Sequence, residues 1–255
     1  MTGSCHAIEC GGKTLLVDCG LFQGDPQTDA ANAGDFGLDP ARVDVLLLTH
    51  AHLDHCGRIP LLVKRGFKGE IIATAATREL TRLVLLDAAH QQDEEAKSRK
   101  HSAELRGESD AGFAPVYGLI DALSAFDRFG RTAAYDQPID VATDVRVAFV
   151  NAGHILGSAS IVLDLVEGDR RRRVIFSGDL GPTGRPLLRD ADPPANADVV
   201  VMETTYGDRM HRPLDQTVEE FDEAVNDCFR RGGNVVVPTF ALERTQEVLY
   251  YTRTH

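Results

Sequence analysis

Four candidate metal ligands lie within six residues of one another: His50, His52, Asp54 and His55. The apolar run 43–49 leads into them and predicts a buried strand. Because residues two apart point the same way where a strand ends, we expect His50 and His52 to bind one ion together. Asp54 and His55 are expected in the following turn, facing a second ion. Lone histidines are more often surface or core residues, but four such groups at this spacing favour a zinc site.

The pattern His-x-His-x-Asp-His resembles the signature of the metallo-β-lactamase superfamily of hydrolases, and further matches follow in that family's order. His154 follows the strand-like run 145–150 and is similar to the third ligand motif. Asp179 ends the segment Phe-Ser-Gly-Asp and is similar to the fourth motif. Asp18 ends the segment Leu-Leu-Val-Asp and resembles the first motif. His154 or Asp179 alone would be weak support, but their order after apolar runs strengthens the resemblance, which covers nearly the whole chain.

The resemblance implies a centre of two zinc ions. His50, His52 and His154 would hold the first ion, Asp54 and His55 the second, and Asp179 would bridge both. The nucleophile would be a water, since zinc lowers the pKa of bound water to about 7, and Asp54 would accept its proton. Asp18 would orient a ligand imidazole from behind the metal loop, although an ordinary turn aspartate before Cys19 is an equally open interpretation.

A further resemblance indicates one subgroup of that superfamily. The run 199–203 ends in Glu203 and precedes Thr-Thr-Tyr-Gly-Asp-Arg, which resembles motif A of the β-CASP subgroup, whose members cleave RNA or, less often, DNA. Residues 234–247 resemble the opening of the β-CASP insert, although an ordinary strand, turn and helix describes them equally well. Residues 2–6 and 20–24 resemble the bacterial RNA-processing type, which is kin to the eukaryotic pre-mRNA 3′-end endonuclease. In the intact subgroup Glu203 would orient the motif B histidine that protonates the leaving 3′ oxygen.

The predicted fold class is α/β (α+β), an incomplete metallo-β-lactamase αβ/βα sandwich with the start of a β-CASP domain. We place the first domain at residues 1–205 and the beginning of the insert at residues 206–255. Strand-like runs without strict alternation predict strands that are covered on both faces. The predicted strands are 14–18, 43–49, 70–74, 145–151, 160–165, 173–177 and 199–203.

Helical patterns lie between some of these strands. One helix is predicted to follow Thr77 as its N-cap and to run towards residue 92. A second is predicted from a core-packing apolar stripe over residues 119–129, closed by Gly130 as a C-cap. Residues 93–114 are charged and lack apolar periodicity, which predicts an exposed loop near the metal face.

The chain departs from the family pattern at both ends. It begins inside the Thr-Gly-Ser segment and stops at His255, before the two histidines of motifs B and C. The sequence therefore predicts a fragment of a longer protein, or a gene truncated at both ends, whose activity is in doubt. Since the second zinc would lack its motif C histidine, we expect the first zinc to be bound better than the second.

The composition of the chain limits its expected compartment and its partners. The chain has 255 residues, 43% of them hydrophobic, and no apolar run near the ~20 residues that span a bilayer. No secretory signal is visible, and five scattered cysteines predict reduced thiols, so the expected compartment is cytoplasmic. The net charge of −12 argues mildly against nucleic acid, although two zinc ions would add positive charge where a phosphate lies. The arginines at 170–173 are interpreted as a solvated hairpin turn, and His211 as an exposed bystander.

Three functions remain open. The leading hypothesis is a zinc-dependent ribonuclease that cleaves phosphodiester bonds in RNA, with a homodimer possible and no membrane partner. The second is a small-molecule hydrolase of the same fold, acting on thioesters or lactones, which would not need the segment around Glu203. The third is a non-catalytic module that binds metal or a partner. The sequence does not distinguish endonuclease from 5′-exonuclease action.

Overall fold

Two five-stranded sheets form the frame of the molecule, which a computed structural model describes over residues 3–24, 31–107 and 114–254. Sheet A contains His6–Cys10 (β1), Lys13–Val17 (β2), Val45–Leu47 (β3), Glu70–Thr74 (β4) and Phe129–Ala133 (β5), in that order. Sheet B contains Ile139–Ala142 (β6), Val145–Asn151 (β7), Ala159–Glu167 (β8), Arg170–Phe176 (β9) and Val199–Val201 (β10), in the order β10-β9-β8-β7-β6.

Strand direction brings the chemically interesting loops to one edge of this frame. In sheet A, β1 is antiparallel to β2, while β2, β3, β4 and β5 are parallel. In sheet B, the strands from β6 to β9 are antiparallel to their neighbours and β10 is parallel to β9. Strands β7 and β9 therefore run the same way. The residues that follow β2, β3, β7, β9 and β10 include every candidate ligand or catalytic residue.

Apolar side chains on both faces of sheet A hold the layers together. Leu15 and Leu16 are neighbours in β2 and are almost completely buried. Leu15 packs between the sheets against residues such as Phe149, whereas Leu16 packs beneath the helices beside Leu62. Since burying one such side chain contributes about 1.5–3 kcal/mol, both faces add to stability. This packing confirms the prediction of strands that are covered on both faces for sheet A. In sheet B the prediction is wrong for β7, whose burial alternates, and for β10, where Val199 and Val200 are exposed.

Six α-helices lie wholly within the described residues. They are Leu53–Cys56 (α1), Ile59–Lys64 (α2), Ala75–Arg106 (α3), Leu119–Phe126 (α4), Leu214–Arg230 (α5) and Arg244–Thr254 (α6), and a 3-10 turn covers Pro40–Arg42. Helices α2, α3 and α4 pack together on the outer face of sheet A. Among the described residues, no helix combines the length and the apolar character that crossing a bilayer would require.

Helix α3 starts earlier and ends later than its sequence pattern predicts. Its N-cap is Thr74, whose hydroxyl accepts from the amide of Thr77, so the prediction of Thr77 as the cap is wrong. The helix continues to Gly107, whose left-handed conformation ends it. The exposed loop predicted at 93–114 is therefore wrong up to that point, and residues 108–113 lie outside the described residues. Ion pairs between side chains three and four residues apart support this solvated half of the helix.

Helix α4 is shorter than predicted. It ends before β5, and Gly130 lies inside that strand rather than at a C-cap. The predicted stripe is also only partly in the core, because Leu119 and Leu123 are exposed. Ala122 and Ala125 occupy the buried face instead. The helix packs through these small side chains and the partly buried Phe126, and it leaves Leu119 and Leu123 in solvent.

The seven predicted strands are all present, with ends that shift by up to three residues. Strands β1, β5 and β6 were missed, because their polar and apolar residues form no continuous apolar run. The four arginines at 170–173 begin β9, and the hairpin turn lies at Gly168 and Asp169. The interpretation of these arginines as a hairpin turn is therefore wrong. Residues 234–240 form no strand, contrary to the strand expected there. The domain boundary at residue 205 remains a prediction.

Candidate metal centre

The first ligands lie in the loop that connects β3 to α1. His50 and His52 follow the end of β3, and His52 is the N-cap residue of α1, with extended backbone. Asp54 and His55 lie inside α1 rather than in an open turn, which corrects the prediction for these two residues. The carbonyl of His52 accepts the amide of His55 at 2.9 Å. This one-turn helix turns the second pair of ligands back towards the first.

Three histidines and one aspartate form the tightest cluster, and we call His50, His52 and His154 the histidine trio. One ligand atom from each trio member and one from Asp179 all lie within 4.8 Å of one another. Nδ1 of His52 is 3.1 Å from Nε2 of His50 and 3.0 Å from Nε2 of His154. Oδ2 of Asp179 is 3.4 Å from Nε2 of His154 and 3.8 Å from Nε2 of His50. Residues 102 apart in sequence thus share one cluster.

A second group lies against the other oxygen of the same aspartate. Oδ1 of Asp179 is 3.1 Å from Nε2 of His55, and Oδ2 of Asp54 is 3.8 Å from that nitrogen. Both His55 and Asp54 are buried. The two oxygens of Asp179 therefore face different groups, one the histidine trio and the other His55.

Asp18 supports the second group from behind. It follows β2 with a φ of 61°, a left-handed conformation that aspartate and asparagine adopt more readily than most residues. Its carboxylate accepts the backbone amide of Thr49 at 2.8 Å and the hydroxyl of Thr49 at 2.9 Å. It also lies 2.7 Å from Nδ1 of His55. This contact leaves Nε2 of His55 directed at Asp179.

Thr49 links Asp18 to the histidine trio, and the sequence patterns do not identify it. Its hydroxyl donates to Asp18, so the same oxygen is an acceptor for Nδ1–H of His50 at 3.0 Å. With its hydrogen on Nδ1, His50 presents an unprotonated Nε2 to the cluster. One threonine thereby sets the tautomer of a trio histidine and restrains the carboxylate behind His55.

The loop that carries His154 is fixed by two polar side chains. The hydroxyl of Ser158 accepts the amide of His154 at 3.0 Å, and the side-chain oxygen of Asn151 accepts the amide of Gly153 at 3.2 Å. Asn151 also donates to the carbonyl of Asp190 at 2.7 Å. These bonds connect the end of β7 to a distant loop and orient the third histidine.

Two glycines allow the backbones around the centre to approach closely. Gly20 lies against the carbonyl of Asp54, where any side chain would collide with the metal loop. Gly178 has a φ of 56°, and a Cβ there would lie 2.9 Å from the side chain of Thr49. The packing of the site itself thus restricts the size of residue 20, two positions after Asp18, and of residue 178, next to Asp179.

Burial and charge give the histidines opposite protonation behaviour. Burial lowers the pKa of His50 well below its usual value, lowers that of His52, and lowers that of His154 to about 4. Burial acts in the same direction on His55, but the carboxylates of Asp18 and Asp179 outweigh it and raise the pKa of His55 to about 10. The trio is therefore neutral at pH 7, and His55 is held in its charged form by its acidic neighbours.

The trio and Asp179 fit a divalent cation. A metal ligand must be an unprotonated imidazole or an ionised carboxylate, and the lowered pKa values keep the trio in that form. Burial opposes ionisation of Asp179, but the hydrogen bond from His55 prevails and lowers the pKa of its carboxyl. Three nitrogens and one oxygen are a donor set that zinc prefers.

The sequence model of the metallo-β-lactamase superfamily matches residues 1–239. The chain belongs to that superfamily. The predicted fold class and family resemblance are thereby confirmed.

The curated relatives of this superfamily member include ribonucleases. Ribonuclease TTHA0252 of Thermus thermophilus is 41% identical over 255 residues, which cover 100% of this chain and 53% of that protein. Endoribonuclease YSH1 of Saccharomyces cerevisiae is 30% identical over 251 residues, covering 96% of this chain and 30% of that protein. The chain thus spans about half the length of the first of these relatives and less of the second. A metallo-β-lactamase structure from Cronobacter sakazakii aligns with a TM-score of 0.42 at 20% identity, over 72% of this chain and 58% of that chain, a likeness too weak to extend the comparison.

Of the two remaining candidate residues in this superfamily member, Glu203 lies beside the metal cluster and His211 lies away from it. Glu203 follows β10, and its carboxylate accepts the amide of Leu180 at 2.9 Å, which places it next to the loop of Asp179. His211 is exposed and its ring lies 4.4 Å from that of Tyr206, outside the metal cluster, as the bystander interpretation expects. The catalytic and ligand roles assigned to individual residues remain predictions.

Proposed function

We propose that this chain carries the metal centre of a zinc-dependent hydrolase that cleaves phosphodiester bonds in RNA, as a β-CASP ribonuclease. The observation that carries the proposal is the convergence of the histidine trio and Asp179 within 4.8 Å. The curated relatives that are named ribonuclease and endoribonuclease support RNA as the substrate. These relatives favour the ribonuclease hypothesis over the thioester or lactone alternative.

Each residue has a defined task in this proposal. The histidine trio would hold the first zinc, Asp54 and His55 the second, and Asp179 both. Bound zinc would supply a water-derived nucleophile, because zinc lowers the pKa of bound water to about 7. Asp54 would accept the proton of that nucleophile from its buried position in α1.

The neighbours of the ligands prepare them for these tasks. Asp18 fixes the ring of His55 through Nδ1, and Thr49 fixes that of His50. A support of this kind contributes about 10–100-fold in metal affinity or activity. Glu203 is held by the amide of Leu180 beside the Asp179 loop, a position suited to orienting a histidine that donates a proton to the leaving oxygen.

We expect the two zinc ions to bind with unequal affinity. The first site has three imidazoles and one oxygen of Asp179, whereas the second has His55, Asp54 and the other oxygen of Asp179. Fewer donors, and a proton that must leave His55, weaken the second site. Equilibrium dialysis against zinc should give one ion held tightly and one weakly. Two ions of equal, high affinity would contradict this assignment.

The activity is tested with a generic single-stranded RNA. Hydrolysis should require zinc, stop with a chelator and be lost in His52→Ala. His211→Ala is the matched control, because that imidazole is exposed and outside the cluster. A thioester substrate is assayed in parallel. Turnover of the thioester alone would support the small-molecule hydrolase, and turnover of neither substrate would support the non-catalytic module.

The proposal also includes the location, the oligomeric state and the domain division of this chain. We infer a cytoplasmic location from the sequence and propose a homodimer. Residues 1–205 would form the metallo-β-lactamase domain and residues 206–255 the beginning of the β-CASP insert. In the described part of that segment, the apolar side chains of Val236 and Phe240 are exposed. Sedimentation velocity at several concentrations measures the oligomeric state directly.

A further inference from the structure

Two cysteines lie opposite each other directly behind the metal centre. The amide of Gly20 donates to the carbonyl of Ser4 at 2.9 Å, which joins the start of the chain to the segment after β2. Cys5 follows Ser4 and Cys19 precedes Gly20. The β1–β2 register pairs His6 with Val17, and beyond the left-handed Asp18 it shifts by one residue, so that the bond from Gly20 to Ser4 brings Cys5 opposite Cys19. The two thiols share a hydrogen bond. Facing residues of an antiparallel pair have Cβ atoms about 4.5–5.5 Å apart, close to what a disulfide spans.

The surroundings of the pair are unequal in a way that suits stepwise oxidation. Cys5 is partly exposed, whereas Cys19 is completely buried in the core beneath the helices. Hydrogen bonding with the Cys19 thiol lowers the pKa of Cys5, burial opposes this, and the Arg58 guanidinium lowers it further. Cys5 is therefore the accessible, more acidic thiol, and Cys19 is its protected neighbour.

Both the amide and the carbonyl of Cys19 form hydrogen bonds with the segment that carries Asp54 and His55. Its amide donates to the carbonyl of His55 at 2.7 Å, and its carbonyl accepts the amide of Arg58 at 2.8 Å. The preceding residue is Asp18, whose carboxylate holds both Thr49 and His55. A displacement of Cys19 would therefore reach the side chains that orient the second group of ligands.

We propose that Cys5 and Cys19 are a reversible oxidation site, at which hydrogen peroxide forms a disulfide that weakens metal binding at His55. In the first step the Cys5 thiolate attacks one peroxide oxygen, the O–O bond breaks and one water leaves after protonation. The Cys19 thiol then loses its proton and attacks the sulfur of the Cys5 sulfenic acid, which releases a second water. Two sulfurs give up two electrons, and one peroxide becomes two waters. A dithiol reductant reverses the reaction.

Mass spectrometry of the peroxide-treated chain tests the thiol chemistry without relying on enzymatic activity. Trypsin cuts after Lys13 and thus separates Cys5 from Cys19, so the disulfide appears as a cross-linked peptide pair that dithiothreitol dissolves. The Cys10→Ser background is used because Cys10 shares a tryptic peptide with Cys5. The cross-link should vanish in Cys5→Ser and in Cys19→Ala, and persist in Cys228→Ser. Oxidation of Cys5 to sulfinic acid alone, or a cross-link between Cys19 and Cys56, would overturn the proposal.

The coupling to the metal is tested separately and rests on the proposed metal site. Zinc affinity of the oxidised and reduced chain is compared by competition with a chromogenic chelator, and the weaker site should lose about tenfold in affinity on oxidation. The partly exposed Cys5→Ser, checked by circular dichroism, should make this affinity insensitive to peroxide. If the cross-link forms but zinc affinity stays constant, the coupling is disproved. Because neither readout uses RNA, failure here is distinguishable from failure of the ribonuclease proposal.

Discussion

The two halves of the metal centre use the same residue type in opposite electrostatic settings. The histidine trio is surrounded by other imidazoles and buried surface, and burial lowers the pKa of His154 to about 4. His55 is buried to a similar degree, yet Asp18 and Asp179 raise its pKa to about 10. The two pKa values differ not because of exposure but because a carboxylate, that of Asp18, contacts Nδ1 of His55. Whereas the hydroxyl of Thr49 contacts His50, a full negative charge contacts His55.

This contrast indicates two ways to prepare a ligand. A neutral trio is ready for a metal without releasing protons, which favours tight binding. His55 must exchange its proton for the metal, but the carboxylate behind it increases the basicity of its ligand nitrogen. Asp179 connects the two settings because its oxygens face different groups. We therefore expect mutations in the two halves to have separable effects on metal content.

The largest effect is expected from a mutation in the trio. His154→Ala removes one of three imidazoles from the first site and should lower RNA hydrolysis more than about 100-fold. His55→Ala should also lose activity but retain one zinc, because the trio is intact. Metal content per chain after dialysis, measured by atomic emission, checks both expectations. If His154→Ala keeps the tight zinc and His55→Ala loses it, the order of the two sites is reversed.

A second prediction removes the charge behind His55 and preserves the shape. Asp18→Asn should weaken the second zinc and reduce activity by about 10–100-fold, because a neutral amide supports the imidazole less well. Asparagine tolerates the φ of 61° at this position, so the backbone is not the cause. Asp136→Asn is the matched control, since Asp136 has a φ of 59° and lies outside the centre. Equal zinc affinity in Asp18→Asn and the parent chain would refute the support role.

Much of the fold and of the cluster was predictable because its information is local. His50, His52 and Asp54 follow an apolar run, and the ends of the parallel strands meet at one edge of a sheet. The four candidate ligands within six residues predict a metal site even without coordinates. The family resemblance supplied the remaining partners His154 and Asp179.

The supporting residues were not predictable, since their partners are fixed only by the tertiary fold. Thr49 and Asn151 bond to segments that are distant in sequence, and Ser158 orients the loop of His154 through its hydroxyl. No spacing rule identifies such bonds. The missed strand β5 has a related cause, because Arg131 pairs with Glu70 on the neighbouring strand and interrupts any apolar pattern.

A third prediction concerns the close approach between the two halves. Gly178→Ala should lower the free energy of unfolding by about 3 kcal/mol. The φ of 56° is strained for alanine, and the new Cβ would collide with the side chain of Thr49. Gly168→Ala is the matched control: its φ is 59°, and a Cβ there meets nothing within 4 Å. That control should lose only about 1 kcal/mol. Urea unfolding of both variants measures the difference, and equal losses would show that the contact with Thr49 has no energetic role.

The smallest effect is expected at the hydroxyl that connects the halves. Thr49→Val keeps the shape of the side chain but removes the donor to Asp18 and the acceptor for His50. Asp18 keeps the backbone amide of Thr49, so the loss that reaches turnover is the bond to His50, which corresponds to about 1 kcal/mol, or roughly fivefold. Thr49→Ser restores the hydroxyl and should recover most of that loss. If serine performs no better than valine at equal metal content, packing rather than hydrogen bonding makes threonine suitable, and the two histidine environments are independent of each other.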